Sequence, residues 1–223
     1  MLLQLEQVLS STEIENVLAL LAGEPLVGGS RTALGSAAAV KRNLEFDPDA
    51  AGTGAARLAI VDCLAKHPLF ELAVQPYRFS DPIFSRYEPG MEYGSHLDAA
   101  IMRRRSPVRA DVAVTVFLND PQSYEGGELV IDSSFGEFRY KGKAGDCVIY
   151  PASTFHRVNR VAEGIRMVAV VWVQSTVRDP AKRRILYDLG CTMQYLDVFA
   201  SGNPDADRLR RCYLNLVRCW AEL

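Results

Sequence analysis

The chain has no run approaching the roughly 18 apolar residues that a membrane-spanning helix requires, and no excess of basic charge. Its 25 Lys and Arg stand against 27 Asp and Glu, for a net charge of −2. The electrostatic footprint of a nucleic-acid binder is therefore missing. The opening stretch MLLQLEQVLSSTEIENVLALLAG lacks a basic segment and carries acids at Glu6, Glu13 and Glu15, so it reads as part of the fold and not as a secretion signal. Five cysteines are scattered with no CxxC pair. That argues against a disulfide framework or a thiolate zinc site and for a reducing, cytoplasmic setting. Histidine is also scarce, with only His67, His96 and His156. With 48% apolar and 23% charged residues in a length of 223, what is left is an ordinary globular chain: one domain with additions.

Periodicity divides that chain into parts. Ser10 and Glu13 have the spacing of a capping box, and Ile14, Val17, Leu18 and Leu21 recur at helical spacing after them, which predicts a helix over 11–22. Residues 23–37, rich in Gly, Ser and Ala, read as a loop or irregular hairpin. A second helix is expected over 54–66, with Leu58, Val61 and Leu64 on one face and an end before Pro68. From Ile83 onward short apolar or alternating runs are set between Gly, Asn, Asp and Pro. There are eight of them, at 83–88, 92–98, 111–118, 128–132, 136–141, 146–150, 155–161 and 165–174. Such spacing points to a jelly roll or related two-sheet barrel, with DVAVTVFL as a central strand buried on both faces. After Asp179 helical spacing returns. Ile185, Leu186, Leu189, Met193 and Leu196 fit one helix, and Leu209, Cys212, Tyr213, Leu216, Val217 and Trp220 fit another, wide enough to pack on the β-core or make a homodimer contact. The expected fold is mainly β with flanking α: a double-stranded β-helix (jelly roll) core over 79–177, an N-terminal support region over 1–78 and a C-terminal helical pair over 178–223.

Two of the three histidines fall in these strands. His96 is followed two residues later by Asp98, and i and i+2 share a strand face; His156 lies on a later strand and can close the set. Two imidazoles and one carboxylate form the facial triad of non-haem Fe(II) oxygenases, with positions left open for a 2-oxo acid and O2. Arg166, ten residues after His156, opens an apolar strand where an inward cation needs an anionic partner; its guanidinium fork suits a carboxylate.

The order His96-x-Asp98, His156, Arg166 resembles the 2-oxoglutarate-dependent oxygenase superfamily. RYEPGMEYGSHLD resembles its prolyl 4-hydroxylase-like branch, and FLNDPQSYEGGELVI, AGDCVIYPASTFHRV and VVWVQSTVRD are similar to bacterial PKHD-type hydroxylases, a group often associated with iron-uptake genes. The resemblance implies a dioxygenase core that hydroxylates a protein side chain, an amino acid or a small molecule with release of succinate and CO2. It implies His96, Asp98 and His156 as Fe(II) ligands, Arg166 and Tyr87 at 2-oxoglutarate, and L-ascorbate as reductant. Where relatives commonly have Ser or Cys, near Ala113 and after Arg166, this chain is apolar, which changes the polarity of the pocket.

Plainer readings stand beside these. His67 is a packing or surface histidine, Trp172 a core residue, and Tyr87 and Tyr93 fit simple aromatic packing. Arg103, Arg104 and Arg105 form either a solvated loop or a lid that attracts an anion. Glu125, Gly126 and Gly127 are turn chemistry. A zinc hydrolase or cupin-type isomerase, or a non-catalytic iron or 2-oxoglutarate sensor, could use the same barrel, although a hydrolase gives Arg166 no task.

Overall fold

The computed structural model describes residues 1–103, 106–199 and 202–223. Two antiparallel sheets enclose a cavity. The larger runs in the order Leu3–Leu5, Cys147–Pro151, Val112–Phe117, Arg166–Ser175, Ile83–Tyr87, Leu44–Phe46 and Leu26–Gly28, with Pro76–Phe79 also paired to Arg166–Ser175. The smaller runs Gly136–Tyr140, Leu129–Ser133, His156–Val158, Glu92–His96 and Lys41–Arg42. Helices lie at both ends of the chain, as the jelly-roll reading requires. Among the described residues no helix is long and apolar enough to cross a membrane.

Strand alternation assigns each side chain of the larger sheet to one of two tasks. In Arg166–Ser175, the residues Arg166, Val168, Val170 and Trp172 face the cavity, while Ala169, Val171 and Val173 join the core on the other side. In Ile83–Tyr87, likewise, Ile83, Ser85 and Tyr87 line the cavity and Phe84 joins that core. The outer core is completed by Ile14, Val17 and Leu21 of the helix Ser11–Leu21 and by Ala56, Ile60 and Leu64 of Ala51–Lys66. Both faces of the sheet are thus covered, and every residue of Val112–Phe117 is buried. Each of its Val and Phe side chains contributes roughly 1.5–3 kcal/mol of burial.

The capping box forms as expected. Ser10 Oγ accepts from the Glu13 N–H at 3.3 Å, and the Glu13 carboxylate accepts from the Ser10 N–H at 2.7 Å. The next helix begins at Ala51, earlier than expected, and its buried face differs from the expected one: Leu58 is 75% exposed, while Ala56, Ile60, Cys63 and Leu64 point inward. Apolar residues surround this helix, so periodicity alone did not select a side; the small Thr53 and Ala56 allow close approach to the sheet where Leu58 does not. That helix ends at Lys66, but another, Pro68–Val74, starts at once. Proline suits a first helical position, where its missing N–H is no loss, and His67 Nδ1 caps the helix by accepting from the Phe70 N–H at 3.3 Å. The segment over 23–37, read as a loop or irregular hairpin, contains the strand Leu26–Gly28, which pairs antiparallel with Leu44–Phe46. The run 155–161 divides into His156–Val158 and Val161–Gly164, which belong to different sheets.

The C-terminal helices Pro180–Phe199 and Pro204–Trp220 pack on each other. The first rests on Pro68–Val74, where Gly190 leaves room for Leu72. Tyr187 of the same helix packs against the core behind the larger sheet, and the Glu222 N–H beyond the second helix donates to Thr176 O at 2.7 Å, so the pair touches the barrel as well as this short helix.

Ile149 links these layers. It is 2% exposed and lies opposite both Leu3 and Val114 in the larger sheet. Ile149→Ala is expected to cost about 2–5 kcal/mol, read as a lower urea midpoint at unchanged slope.

Candidate active site

His96 and His156 are direct partners across the ladder between Glu92–His96 and His156–Val158. The register slips between His156 and Val158, so Tyr93 and His96, three residues apart, share a face. Their rings stack with centroids 3.6 Å apart at 13°. The strand expected over 92–98 ends at His96. Asp98 therefore lies beyond the ladder, and alternation is not what unites it with His96. The chain leaving the strand turns the carboxylate back, and Asp98 Oδ1 comes to 3.9 Å from His96 Nε2 and 3.8 Å from His156 Nε2. One ligating atom from each of the three residues lies within 4.8 Å of the others.

The protonation pattern suits a metal. His96 Nδ1 is 2.8 Å from Gly94 O and His156 Nδ1 is 3.0 Å from Thr154 O. A carbonyl only accepts, so each Nδ1 carries the proton and each Nε2 presents its lone pair. Burial, reinforced by the neighbouring His156, pushes the His96 pKa down to about 3, so this ring is neutral at physiological pH. Burial raises the pKa of Asp98, opposed by His156 and by the indole of Trp172. Its Oδ2 is buried without a hydrogen-bond partner. Two imidazoles that both turn Nε2 inward and a carboxylate oxygen with no partner among the described residues fit a divalent ion of intermediate softness, Fe(II) among them.

Arg166 occupies the inner end of the same cavity, which has a volume of about 1100 Å3. It is 1% exposed, and no group among the described residues accepts from its Nε or Nη1. Its strand register sets it opposite Tyr87, with the guanidinium carbon 5.1 Å from the Tyr87 ring centroid and 5.9 Å from that of Phe117. Aromatic faces give a cation partial compensation but do not replace a counter-ion.

Several residues that sequence reasoning passed over surround these groups. Tyr124 is buried near Arg166, and its hydroxyl has no hydrogen-bond partner among the described residues. Tyr150 packs edge-on against His156 at 5.1 Å. Trp172, expected in the core, is half-buried on the cavity wall with its N–H unpartnered; an indole in an apolar strand gave no signal to separate the two positions. Gly127 does more than make a turn. At φ +67° its missing Cβ would stand 3.0 Å from Arg166 Cδ and 3.2 Å from Tyr124 Cε2, so the EGG segment leaves the space in which the guanidinium lies. Arg103 lines the outer part of the cavity; Arg104 and Arg105, the rest of the basic run, lie outside the described residues.

Comparison with known proteins gives this geometry a class. The 2OG-Fe(II) oxygenase superfamily matches residues 82–174, and the PKHD-type hydroxylase C-terminal domain matches residues 180–222. The barrel is that of a 2-oxoglutarate- and Fe(II)-dependent oxygenase. The chain is 40% identical over 224 residues to a PKHD-type hydroxylase of Thermosynechococcus vestitus, and 39% identical over 225 residues to one of Klebsiella pneumoniae, in each case over 100% of both chains. It belongs to the PKHD-type hydroxylases. Solved structures share the fold at lower identity. A Pseudomonas putida prolyl-4-hydroxylase aligns with a TM-score of 0.55 at 20% identity, covering 78% of this chain and 92% of the other. A Trichoplax adhaerens prolyl hydroxylase, solved with a hypoxia inducible factor peptide fragment, aligns with a TM-score of 0.58 at 15% identity, covering 83% and 86%.

The electrostatics of Arg166 yield a stability test. A buried charge without a counter-ion opposes folding, so Arg166→Met is expected to leave the protein without 2-oxoglutarate as stable as before, or more stable by up to about 4 kcal/mol. Urea unfolding of the ligand-free protein checks this. A loss of several kcal/mol would mean that Arg166 serves as a structural ion-pair partner.

Proposed function

We propose that His96, Asp98 and His156 hold Fe(II) and that Arg166, beside Tyr87, binds the distal carboxylate of 2-oxoglutarate. One observation carries this reading: a convergent His/Asp/His set and a buried guanidinium whose Nε and Nη1 have no acceptor among the described residues line one cavity. Bound Fe(II) supplies the redox chemistry by which O2 and 2-oxoglutarate are consumed, a C–H bond becomes C–OH, and succinate and CO2 are released. The protein's own groups orient and enclose. Arg166 offers a charge-assisted fork to the carboxylate, Tyr124 adds a hydroxyl near Arg166, and Leu129 and Val168 are apolar parts of the lining. HygX from Streptomyces hygroscopicus, which shares the fold with a TM-score of 0.55 at 18% identity over 78% of this chain and 83% of its own, was solved with nickel and 2-oxoglutarate bound.

The cavity is larger than the usual upper range of small-molecule pockets, about 1,000 Å3, leaving room for a prime substrate beside 2-oxoglutarate: a protein side chain, an amino acid or a small molecule. L-Ascorbate is the proposed reductant, on the resemblance to prolyl 4-hydroxylases. A cytoplasmic location is proposed on the five free cysteines. The proposed division is a support region over 1–78, the dioxygenase core over 79–177 and a helical extension over 178–223. A homodimer through the C-terminal helices is supported by Tyr195, Val198 and Phe199, which are 62%, 71% and 71% exposed near the end of Pro180–Phe199. Sedimentation at high protein concentration is expected to show the dimer, and a monomer there would remove it.

The site assignment is tested by anaerobic titration. Hydrogen bonds to charged groups contribute roughly 1.5–3 kcal/mol, so Arg166→Ala is expected to weaken 2-oxoglutarate binding about 10- to 100-fold with metal affinity little changed. Arg166→Lys is expected to recover only part of the loss, because an ammonium cannot make the fork. His96→Ala is expected to lose Fe(II) binding and succinate release while keeping the fold. An unchanged 2-oxoglutarate dissociation constant in Arg166→Ala would favour a zinc hydrolase on the same barrel, and metal and 2-oxoglutarate binding without succinate release would favour a sensor.

A further inference from the structure

A buried ion pair stands beside the ligand set. Lys41 Nζ lies 2.5 Å from Glu45 Oε1, and the two side chains are 8% and 2% exposed. Thr32 closes the group: its Oγ accepts from Lys41 Nζ at 2.8 Å and donates to the same Glu45 oxygen at 2.9 Å. The pair sits where the chain crosses from one sheet to the other. Lys41 belongs to the smaller sheet, as the direct partner of Tyr93. Glu45 belongs to the larger sheet, where its partners Val27 and Ser85 both line the cavity. Replacing a buried ion pair by apolar residues of similar volume is often neutral or stabilising, so stability does not account for this one.

The pair reaches the ligand set through Tyr93. The Tyr93 ring stacks on His96 with centroids 3.6 Å apart at 13°. Lys41 Nζ stands over the same Tyr93 ring, 5.1 Å from its centroid, within the range of a cation–π contact. Gly94 lets the two strands come this close. Its N–H donates to Val40 O at 3.0 Å, and a Cβ on Gly94 would stand 2.8 Å from Val40 Cβ. The hydrogen bond between His96 Nδ1 and Gly94 O, at 2.8 Å, fixes the tautomer of the imidazole. A ring stacked on the imidazole fixes its plane. A loose lysine has too much rotamer freedom to restrain a ring; Glu45 and Thr32 remove that freedom.

We propose that Lys41 is a positioning residue for the metal centre: anchored by Glu45 and Thr32, its ammonium holds the Tyr93 ring flat against His96 and so keeps Nε2 turned toward Asp98 and His156. The inference rests on His96, Asp98 and His156 as the metal ligands.

The test uses the full-length protein and needs no turnover. The double variant Lys41→Met/Glu45→Gln removes the ammonium, keeps the net charge and leaves no buried charge unpaired. Its urea midpoint is therefore expected to stay close to that of the unsubstituted protein. The chain has three histidines, few enough for their imidazole proton signals to be followed one by one. In the metal-free protein the stacked Tyr93 ring shields the His96 ring protons and shifts them upfield. In the double variant these signals are expected to move downfield, with those of His67 unmoved. Zn(II) and Fe(II) binding, in anaerobic competition with a chromophoric chelator, is expected to weaken about 3- to 10-fold. A pair with a structural role alone would leave both readings unchanged in a variant that folds. Unmoved His96 signals, or an unchanged metal affinity, would overturn the proposal. Should the double variant fold poorly, Thr32→Val removes one anchor of Lys41 and keeps the ion pair. It is expected to move the same signals in the same direction by a smaller amount, and no movement there counts equally against the proposal. Failure of the unsubstituted protein to bind Zn(II) or Fe(II) at all would instead refute the metal site on which the inference stands.

Discussion

The full positive charge of Arg166, kept out of water with no counter-ion among the described residues, is the constraint around which the barrel is arranged. The interior of a small barrel is normally filled by side chains, and an unpaired guanidinium there costs several kcal/mol after relaxation. The structure reduces that cost only in part, through the rings of Tyr87 and Phe117. It also keeps open the space that a carboxylate needs. Gly127 withholds a side chain where one would press on Arg166 Cδ, and Tyr124 brings a hydroxyl with no other partner. A site that must bind an anion benefits from being assembled before the anion arrives, because the cost of ordering it is then met by folding and not by binding.

The two faces of the larger sheet make such a site compatible with a stable fold. Residues of one parity build the outer core against the N-terminal helices, and residues of the other parity are released from packing to line the cavity. Ala169, Val171 and Val173 hold the strand in place, while Arg166, Val170 and Trp172 line the cavity. A one-residue slip would exchange these roles. The register is fixed on both sides of the strand, by Val112–Phe117 and by Ile83–Tyr87, and the pairing of Arg166 with Tyr87 follows from it.

The sequence was most legible where a pattern repeats or a residue type is rare. Eight apolar runs mark the strands of the barrel closely, because short strands between Gly, Asn and Pro leave a local signature. His96, Asp98, His156 and Arg166 stood out because few histidines compete with them and because a cation in an apolar strand is conspicuous. The buried face of Ala51–Lys66 was not legible, since apolar residues surround that helix and the choice of Ala56 and Ile60 over Leu58 belongs to the sheet it meets. Nor was the path of Asp98, whose approach to the histidines depends on how the chain leaves the ladder. Tyr124 and Trp172 were hidden for a related reason: an aromatic residue in a β-rich segment looks the same whether it fills a core or lines a cavity, and only the unpartnered polar atom tells them apart.

The lining of the cavity spans a wide range of exposure. Arg166 is 1% exposed and His96 and His156 are 6% exposed, while Leu97 and Leu34 are 42% and 75% exposed. On the proposed assignment, 2-oxoglutarate is held by the most buried of these residues, and the exposed apolar ones are left for the prime substrate. A substrate that covers them displaces water from the cavity, where a dry environment strengthens every electrostatic contact already in place.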